Sequence, residues 1–201
     1  GEYVPLENER LAWVSGFTGS AGMVVVLKTS AAIFVDGRYT IQVRQQVSAD
    51  HYEFHHLIEE PPMLWLSENL GAGARVGFDS RMHSYSWYEE SRQLFTKQEI
   101  ELVEISQNPI DKHWQDRPEA SQSLALLLSE AFTGESSASK RQRIGEDIGR
   151  LDADVALLTQ LDSIAWLLNI RGADVPRLPV LLSFATLDKE GQVVLYTDPR
   201  K

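Results

Sequence analysis

The sequence predicts an α/β protein of two tandem domains, each a mixed sheet flanked by helices, with the second domain incomplete. Three observations predict it. Short β-branched and apolar runs alternate with segments of helical periodicity. A nine-residue pattern recurs 153 residues after its first appearance. The composition breaks at residues 108–123, where Asn-Pro, Arg-Pro and polar residues interrupt the hydrophobic rhythm. The boundary falls near Arg117, giving domains of residues 1–117 and 118–201.

Taken in order, Met23–Leu27 and Ala31–Val35 are apolar runs joined by Lys-Thr-Ser, which predicts an antiparallel hairpin. After Asp36-Gly37 the spacing of Ile41, Val43 and Val47 predicts a helix over Arg38–Val47. Tyr52–Ile58 alternates as a strand does, and Pro61-Pro62 opens a helix that Gly71 and Gly73 end. A strand at Arg75–Phe78, a helix over Ser84–Thr96 capped by Ser84, and a strand at Ile100–Ile105 complete the first series. Strands separated by helices imply a helix-covered sheet, and the opening hairpin makes it mixed. Beyond the break, Ser139 caps a helix carrying Ile144, Ile148 and Leu151, Asp154–Thr159 reads as a buried strand, and Leu161–Asn169 as an apolar helix. Val180–Leu187 and Gln192–Tyr196 form a last hairpin.

The repeat is Leu11-Ala-Trp-Val-Ser-Gly-Phe-Thr-Gly19 against Ile164-Ala-Trp-Leu-Leu-Asn-Ile-Arg-Gly172, aligned without a gap with Trp13 on Trp166. Each copy leads into a strand pair that ends in Asp-x-Arg, at Asp36-Gly-Arg38 and at Asp198-Pro-Arg200. Two copies this far apart are too few and too long for a solenoid, so a whole domain is duplicated.

Acidic residues outnumber basic ones 29 to 19, for a net charge of −10, and no basic stripe tracks a phosphate backbone, which argues against nucleic acid as a partner. No apolar run approaches the roughly 20 residues of a bilayer span, and no signal peptide opens the chain, so no membrane partner is expected and the predicted location is cytoplasmic. The absence of cysteine removes disulfides, thiol nucleophiles and Cys-based zinc sites. Gly1 is not an initiator Met, and the last strand stops one short turn before Lys201, so the expectation is a piece of a longer protein.

The search for chemistry yields no catalytic set and no metal set. His51, His55 and His56 read as solvated strand residues, with His51 and His55 on one face and His56 pointing away; a metal site would need Glu53 as well. His83 and His113 stand alone in sequence, in surface or capping roles. Gly71-Ala-Gly73 lies between a helix and a strand, the reverse of a dinucleotide loop, and Thr18-Gly-Ser-Ala-Gly22 lacks the order of a nucleophile elbow. Gly16, Gly19 and Gly22 read as backbone accommodation before a strand, and Trp13 and Trp166 as core anchors. Arg38 and Arg171 are candidates for substrate access: each either pairs with an acid of its own domain, Asp36 or Asp174, or reaches toward a peptide carboxylate.

Trp13-Val-Ser-Gly-Phe-Thr-Gly-Ser-Ala-Gly22, Val35-Asp-Gly-Arg-Tyr39, Asp111-Lys-His-Trp-Gln-Asp-Arg-Pro118 and Ile164–Asp174 together resemble the N-terminal half of the long, three-domain aminopeptidase P family, the Xaa-Pro aminopeptidases. The resemblance implies two creatinase-type N-terminal domains, truncated at both ends, followed in the family by a pita-bread catalytic domain. There two Asp, one His and two Glu bind a pair of metal ions, usually manganese. It implies no cofactor in this segment, a partnership with that C-terminal domain, peptide substrates with proline second, and a homodimeric parent. Related domains commonly narrow the approach to the metal centre, in oligomers sometimes that of the neighbouring subunit. Alternatives of the same architecture are a catalytically inactive, histone-chaperone-like interaction module and a creatinase or prolidase relative. The hairpin at Val180–Leu187 is expected to leave apolar side chains under-covered and backbone unpaired, either frayed or self-associating.

Overall fold

The computed structural model describes Tyr3–Lys201; Gly1, on which part of the reading of a cut N-terminus rests, lies outside the described residues with Glu2. They form two compact units, Glu9–Arg117 and Pro118–Lys201 together with Tyr3–Asn8. The opening stretch therefore groups with the later unit and not with the residues that follow it. In that unit the Arg177 guanidinium lies over the Tyr3 ring, 5.9 Å from its centroid.

The first unit begins with a short helix, α1 (Arg10–Ser15), ended by Gly16 at φ 80°, a left-handed position that glycine takes without strain. Strands β1 (Gly22–Val26) and β2 (Ala31–Val35) pair antiparallel, from Gly22↔Val35 to Val26↔Ala31. Helix α2 (Thr40–Gln46) begins only after Asp36 has accepted the N–H of Arg38 at 3.0 Å, which shortens the helix expected from Arg38. β3 (Glu53–His56) then pairs parallel with the free side of β2, so the β1-β2-β3 sheet is mixed. His51 lies in the turn before β3 and so does not share a strand face with His55, because the pleat begins two residues later.

Helix α3 (Pro62–Asn69) starts at the second proline. β4 (Arg75–Phe78) and β5 (Glu101–Glu104) form a separate parallel pair connected through α4 (Tyr85–Thr96), whose cap is Ser84, its hydroxyl accepting the Trp87 N–H at 3.2 Å. A short helix, α5 (Pro109–His113), occupies part of the polar break, capped by Asn108. Two cores lie on the two faces of β2. Ala32 and Phe34 join Trp65, Leu66, Phe95 and Ile100 on one side, while Ile33 and Val35 join Phe17, Val43 and Val47 on the other.

The second unit contains β6 (Leu126–Leu127), α6 (Glu130–Thr133), α7 (Ser137–Arg150), β7 (Val155–Leu158), α8 (Leu161–Leu168), β8 (Ile170–Arg171), β9 (Phe184–Asp188) and β10 (Val193–Tyr196). The sheet order is β10-β9-β7, with β6 paired to β8, and every strand pairing recorded here among the described residues is antiparallel. The unit's third strand comes before its hairpin and not after it, so the parallel step seen between β2 and β3 has no counterpart.

The cap of α7 is Ser136, whose hydroxyl accepts the Ser139 N–H at 3.1 Å, because Ser139 is already inside the first turn. Leu151 lies past the helix end and is exposed. β7 is a sheet edge and not a buried strand: Val155 and Leu157 face outward while Ala156 and Leu158 face the core. Val180 and Leu181 precede β9 as buried irregular chain, with Val180 O accepting the Asp174 N–H and Asp174 Oδ2 accepting the Leu182 N–H at 2.7 Å. Their apolar side chains are therefore covered, and the exposed member of that run is Phe184.

Candidate functional site

The repeated motif has the same local construction in both units. Gly16 donates its N–H to Ala12 O, and the aligned residue Asn169, also left-handed at φ 54°, donates to the aligned Ala165 O. Asn replaces Gly there with a purpose visible in its side chain. Oδ1 accepts from the buried Lys140 ammonium at 2.7 Å and Nδ2 donates to Glu135 O at 2.9 Å, which ties α7 to α8. At the motif's last glycines a side chain would collide. A Cβ on Gly19 would stand 2.2 Å from the Phe17 ring, and one on Gly172 would stand 2.7 Å from Val180 O.

The tryptophans are not core anchors. Trp13 is 40% exposed and Trp166 46% exposed. Leu11 and Ile164, the aligned residues two positions earlier, are the ones packed against the cores. Residues two apart on a helix point to opposite sides, so an inward Leu or Ile places the following Trp outward. Trp13 instead stacks on Trp114, with ring centroids 5.9 Å apart, and Lys140 Nζ lies 4.5 Å from the Trp166 ring. The stack joins the first and third sequence motifs, and beside it is a shielded ion pair in which Nε and Nη2 of Arg10, just before the first motif, donate to the two oxygens of Asp111 at 2.7 and 3.0 Å. Arg117 adds a contact to Asp111 at 3.2 Å, and its guanidinium lies over the Trp114 ring. Arg10 is the main reason the Asp111 carboxyl sits below the usual carboxylate range.

Arg38 stands at the carboxyl end of β2. Its Nε and Nη2 donate to the carboxylate of Asp36, the shortest contact being 2.8 Å, and its guanidinium lies over the Tyr39 ring at 5.1 Å. The Arg38 hydrogen bond holds the Asp36 carboxyl below its ordinary value. Tyr39 and Ser20 share a 2.8 Å hydrogen bond, which lowers the phenol's pKa, and the Thr18 N–H donates to Gln46 Oε1 at 3.0 Å. The glycine loop is thus fastened to the turn that carries Arg38, with most of the Arg38 side chain in solvent.

Arg171 is different. Its Nη1 donates to Ile170 O and Ala165 O, and it does not take Asp174, which is occupied by Lys201 Nζ at 2.7 Å and the Leu182 N–H. The two arginines lie in different units and have different partners. The counterpart of Arg38 is Arg200, whose N–H and guanidinium clasp Asp198 in the same way.

A third clasp went unnoticed in the sequence. The Arg81 N–H donates to Asp79 Oδ1 at 3.1 Å and its Nη2 to Oδ2 at 2.7 Å, immediately after β4. The signal was present, since Asp79-Ser-Arg81 follows a strand as Asp36-Gly-Arg38 does. Asn108 also donates to Asp79, anchoring the start of α5.

Of the histidines, His55 bridges Glu60 at 2.8 Å and Glu53 at 3.3 Å and stacks on Phe34, while His56 Nδ1 accepts from the N–H groups of Ile58 and Glu59. His83 is not isolated: it stacks on Trp87 at 3.6 Å, and burial lowers its pKa. Among the described residues, no group of three or more His, Asp or Glu is arranged to hold a metal ion, and no helix is long and apolar enough to cross a membrane.

Two α/β units of small sheets and helices, each containing the same capped motif, define the class. The chain belongs to the creatinase/prolidase N-terminal domain family, which it matches twice, over residues 4–112 and 116–201. It is 34% identical over 201 residues to aminopeptidase P1 of Lotus japonicus, covering all of this chain and 30% of that protein. It is 32% identical to Xaa-Pro aminopeptidase 1 of Dictyostelium discoideum, covering 100% and 33%. A solved structure of X-prolyl aminopeptidase from Caenorhabditis elegans, a cytosolic enzyme with a di-nuclear active site, superposes with a TM-score of 0.89 at 28% identity, covering 100% of this chain and 33% of that one. The chain spans about a third of the length of these relatives.

Proposed function

We propose that these residues are the non-catalytic N-terminal portion of a metal-dependent Xaa-Pro aminopeptidase, which removes the N-terminal residue preceding proline. The observation that carries this reading is similarity along the whole chain to aminopeptidases about three times its length. The described residues offer no metal-ligand cluster, so the pair of manganese ions in this reading is held by other residues of the parent protein. The contribution of this portion is to restrict entry to short peptides and to help assemble the enzyme, in the cytoplasm and as a homodimer. Arg38 suits the first task, because Asp36 and the Tyr39 ring fix its guanidinium while most of the side chain faces solvent.

The test compares the purified 201-residue chain with the product of the longer gene on a fluorogenic Xaa-Pro peptide with added Mn²⁺. The expected result is turnover by the longer product and none by the chain alone. Metal-dependent turnover by contaminant-free chain would overturn the assignment, as would a downstream sequence without an ordered Asp, Asp, His, Glu, Glu set. In the longer product, Arg38→Ala is expected to raise KM with little change in kcat, while Arg171→Ala, which loses only bonds to nearby carbonyls, leaves KM unchanged.

A further inference from the structure

We propose that the first unit binds a small organic cation, an alkylammonium or guanidinium group, in the pocket at the carboxyl ends of β4 and β5. The pocket has a volume of about 350 Å³, within the range of small-ligand sites. Its position is the usual one for a ligand on parallel strands, outside their carboxyl ends: Phe78 is the last residue of β4 and Glu104 the last of β5.

Aromatic faces dominate the lining. Tyr85 and Tyr88 lie one turn apart on α4, with ring centroids 6.2 Å from each other, and Tyr88 stacks on Phe78 at 5.5 Å. Such faces carry negative quadrupole density and attract a cation. Glu104 supplies the lining's only formal charge, and its Oε1 accepts from Ser80 Oγ at 2.5 Å, which orients the carboxylate. The arginines nearest in sequence are engaged elsewhere, Arg81 with Asp79 and Arg75 with Glu101. Burial lowers the His83 pKa, which disfavours a repelling charge on the ring. The start of α4 would favour an anion, but the Ser84 hydroxyl already accepts the Trp87 N–H there, and the adjoining side-chain charge is negative.

The experiment is a heteronuclear NMR titration of the 201-residue chain with tetramethylammonium, with N-acetyl-lysine amide, and with tert-butanol as the neutral isostere, all at constant ionic strength. Saturable shifts are expected at Tyr85, Glu104 and the Trp87 indole for the two cations, whichever binds more tightly marking a small free quaternary ammonium or a peptide side chain as the source. Tyr85→Ala should weaken binding about fivefold, the scale of one exposed cation–π contact, and Glu104→Gln should weaken it comparably. Tyr85 is 75% exposed, so its replacement leaves the fold intact, as an unchanged spectrum outside the pocket would verify. Equal binding of tert-butanol, shifts that sodium chloride reproduces, or affinity indifferent to both substitutions would each overturn the proposal.

Discussion

In the first unit β2 runs between two cores, one on each face of its sheet, and all but one of its five residues are buried. In the second unit β9 occupies the same central place, yet only Ala185 and Leu187 are buried, with Val193, Leu195, Ala156 and Leu158 beside them on one face. The opposite face carries Val155, Leu157, Phe184, Val194 and Tyr196, each more than half exposed, and pairing brings them side by side as Tyr196↔Phe184 and Leu157↔Thr186↔Val194. The difference is written in the strands. Ala31-Ala-Ile-Phe-Val35 is continuously apolar, as a strand covered on both sides must be, while Phe184-Ala-Thr-Leu-Asp188 places Thr and Asp on one face. What that second pattern does not explain is the apolar company of Thr186, an exposed patch of the kind that marks a contact surface.

The largest test of this contrast removes one aromatic ring from each sheet. Phe34→Ala, at a fully buried position on the doubly covered strand, is expected to cost about 3–5 kcal/mol. Phe184→Ala, 57% exposed, should cost under about 1 kcal/mol. Urea titrations followed unit by unit by NMR would compare them, and equal losses would mean that the second sheet's outer face is covered. A smaller effect tests the covered side of the second unit. Gly172→Ala would drive a Cβ into the Val180 carbonyl and the Leu181 backbone, and overpacking against main chain costs about 1–3 kcal/mol. Hydrogen exchange should show the loss in β8 and β9 with the first unit unaffected.

Much of this contrast was legible in the sequence, and the failures have physical causes. The apolar run Leu161–Asn169 read as a helix and is α8, and the turn chemistry around Ser84 and Pro62 located two more, whereas α1 was not read although the repeat aligns it with α8. Burial was harder. Trp13 and Trp166 read as core because an aromatic at the same place in two copies of a domain is most simply a shared packing position, but a six-residue or eight-residue helix has one narrow inward stripe, already filled by Leu11 and by Ile164 with Leu167. Leu157 and Val155 read as buried from composition alone, since the sheet position that exposes them is decided by distant strand order. The pairing of Asp174 with Lys201 and not Arg171 likewise depends on a contact across the end of the chain that spacing does not encode. Of the candidate site, Asp36 with Arg38 was readable because the partners are two residues apart, whereas the pocket beside Glu104 depends on three separate elements meeting.

The first unit also ties its own ends together, and this extends the contrast from sheets to charges. Arg10 and Asp111 are 101 residues apart and largely shielded, whereas the Asp154–Lys189 pair of the second unit is exposed. Arg10→Ala leaves Asp111 with Arg117 at 3.2 Å and Arg81 at 4.0 Å among the contacts described, so a loss of about 1–3 kcal/mol is expected at pH 7. The pH dependence follows from the lowered Asp111 pKa. The pair's stabilisation is fully present above the unfolded-state value near about 3.9 and is lost as pH falls through the lower folded value. Wild type should therefore lose more stability than Arg10→Ala between neutral and strongly acidic pH. Parallel slopes would show that the pair contributes nothing to the first unit.

The smallest expected change in stability is at the outer face itself. Val194 lies on the edge strand β10 of the exposed apolar face, opposite Thr186 on β9, and about half of its side chain meets solvent. Val194→Lys exchanges a β-branched side chain for one with lower strand preference on an edge strand, where charged residues are well tolerated. The expected cost is within about 0.5 kcal/mol. Its effect on the surface should be much larger than its effect on folding, because an ammonium beside Phe184, Tyr196 and Leu157 makes that face expensive to cover. Binding of a hydrophobic fluorescent dye by the native chain should fall in Val194→Lys, while Val25→Lys, on the covered sheet of the first unit, should unfold that unit and raise dye binding. Identical dye binding by wild type and Val194→Lys, with the urea midpoint unchanged, would show that the exposed face of β7, β9 and β10 is not an adhesive surface, and the difference between the two units would then be one of burial alone.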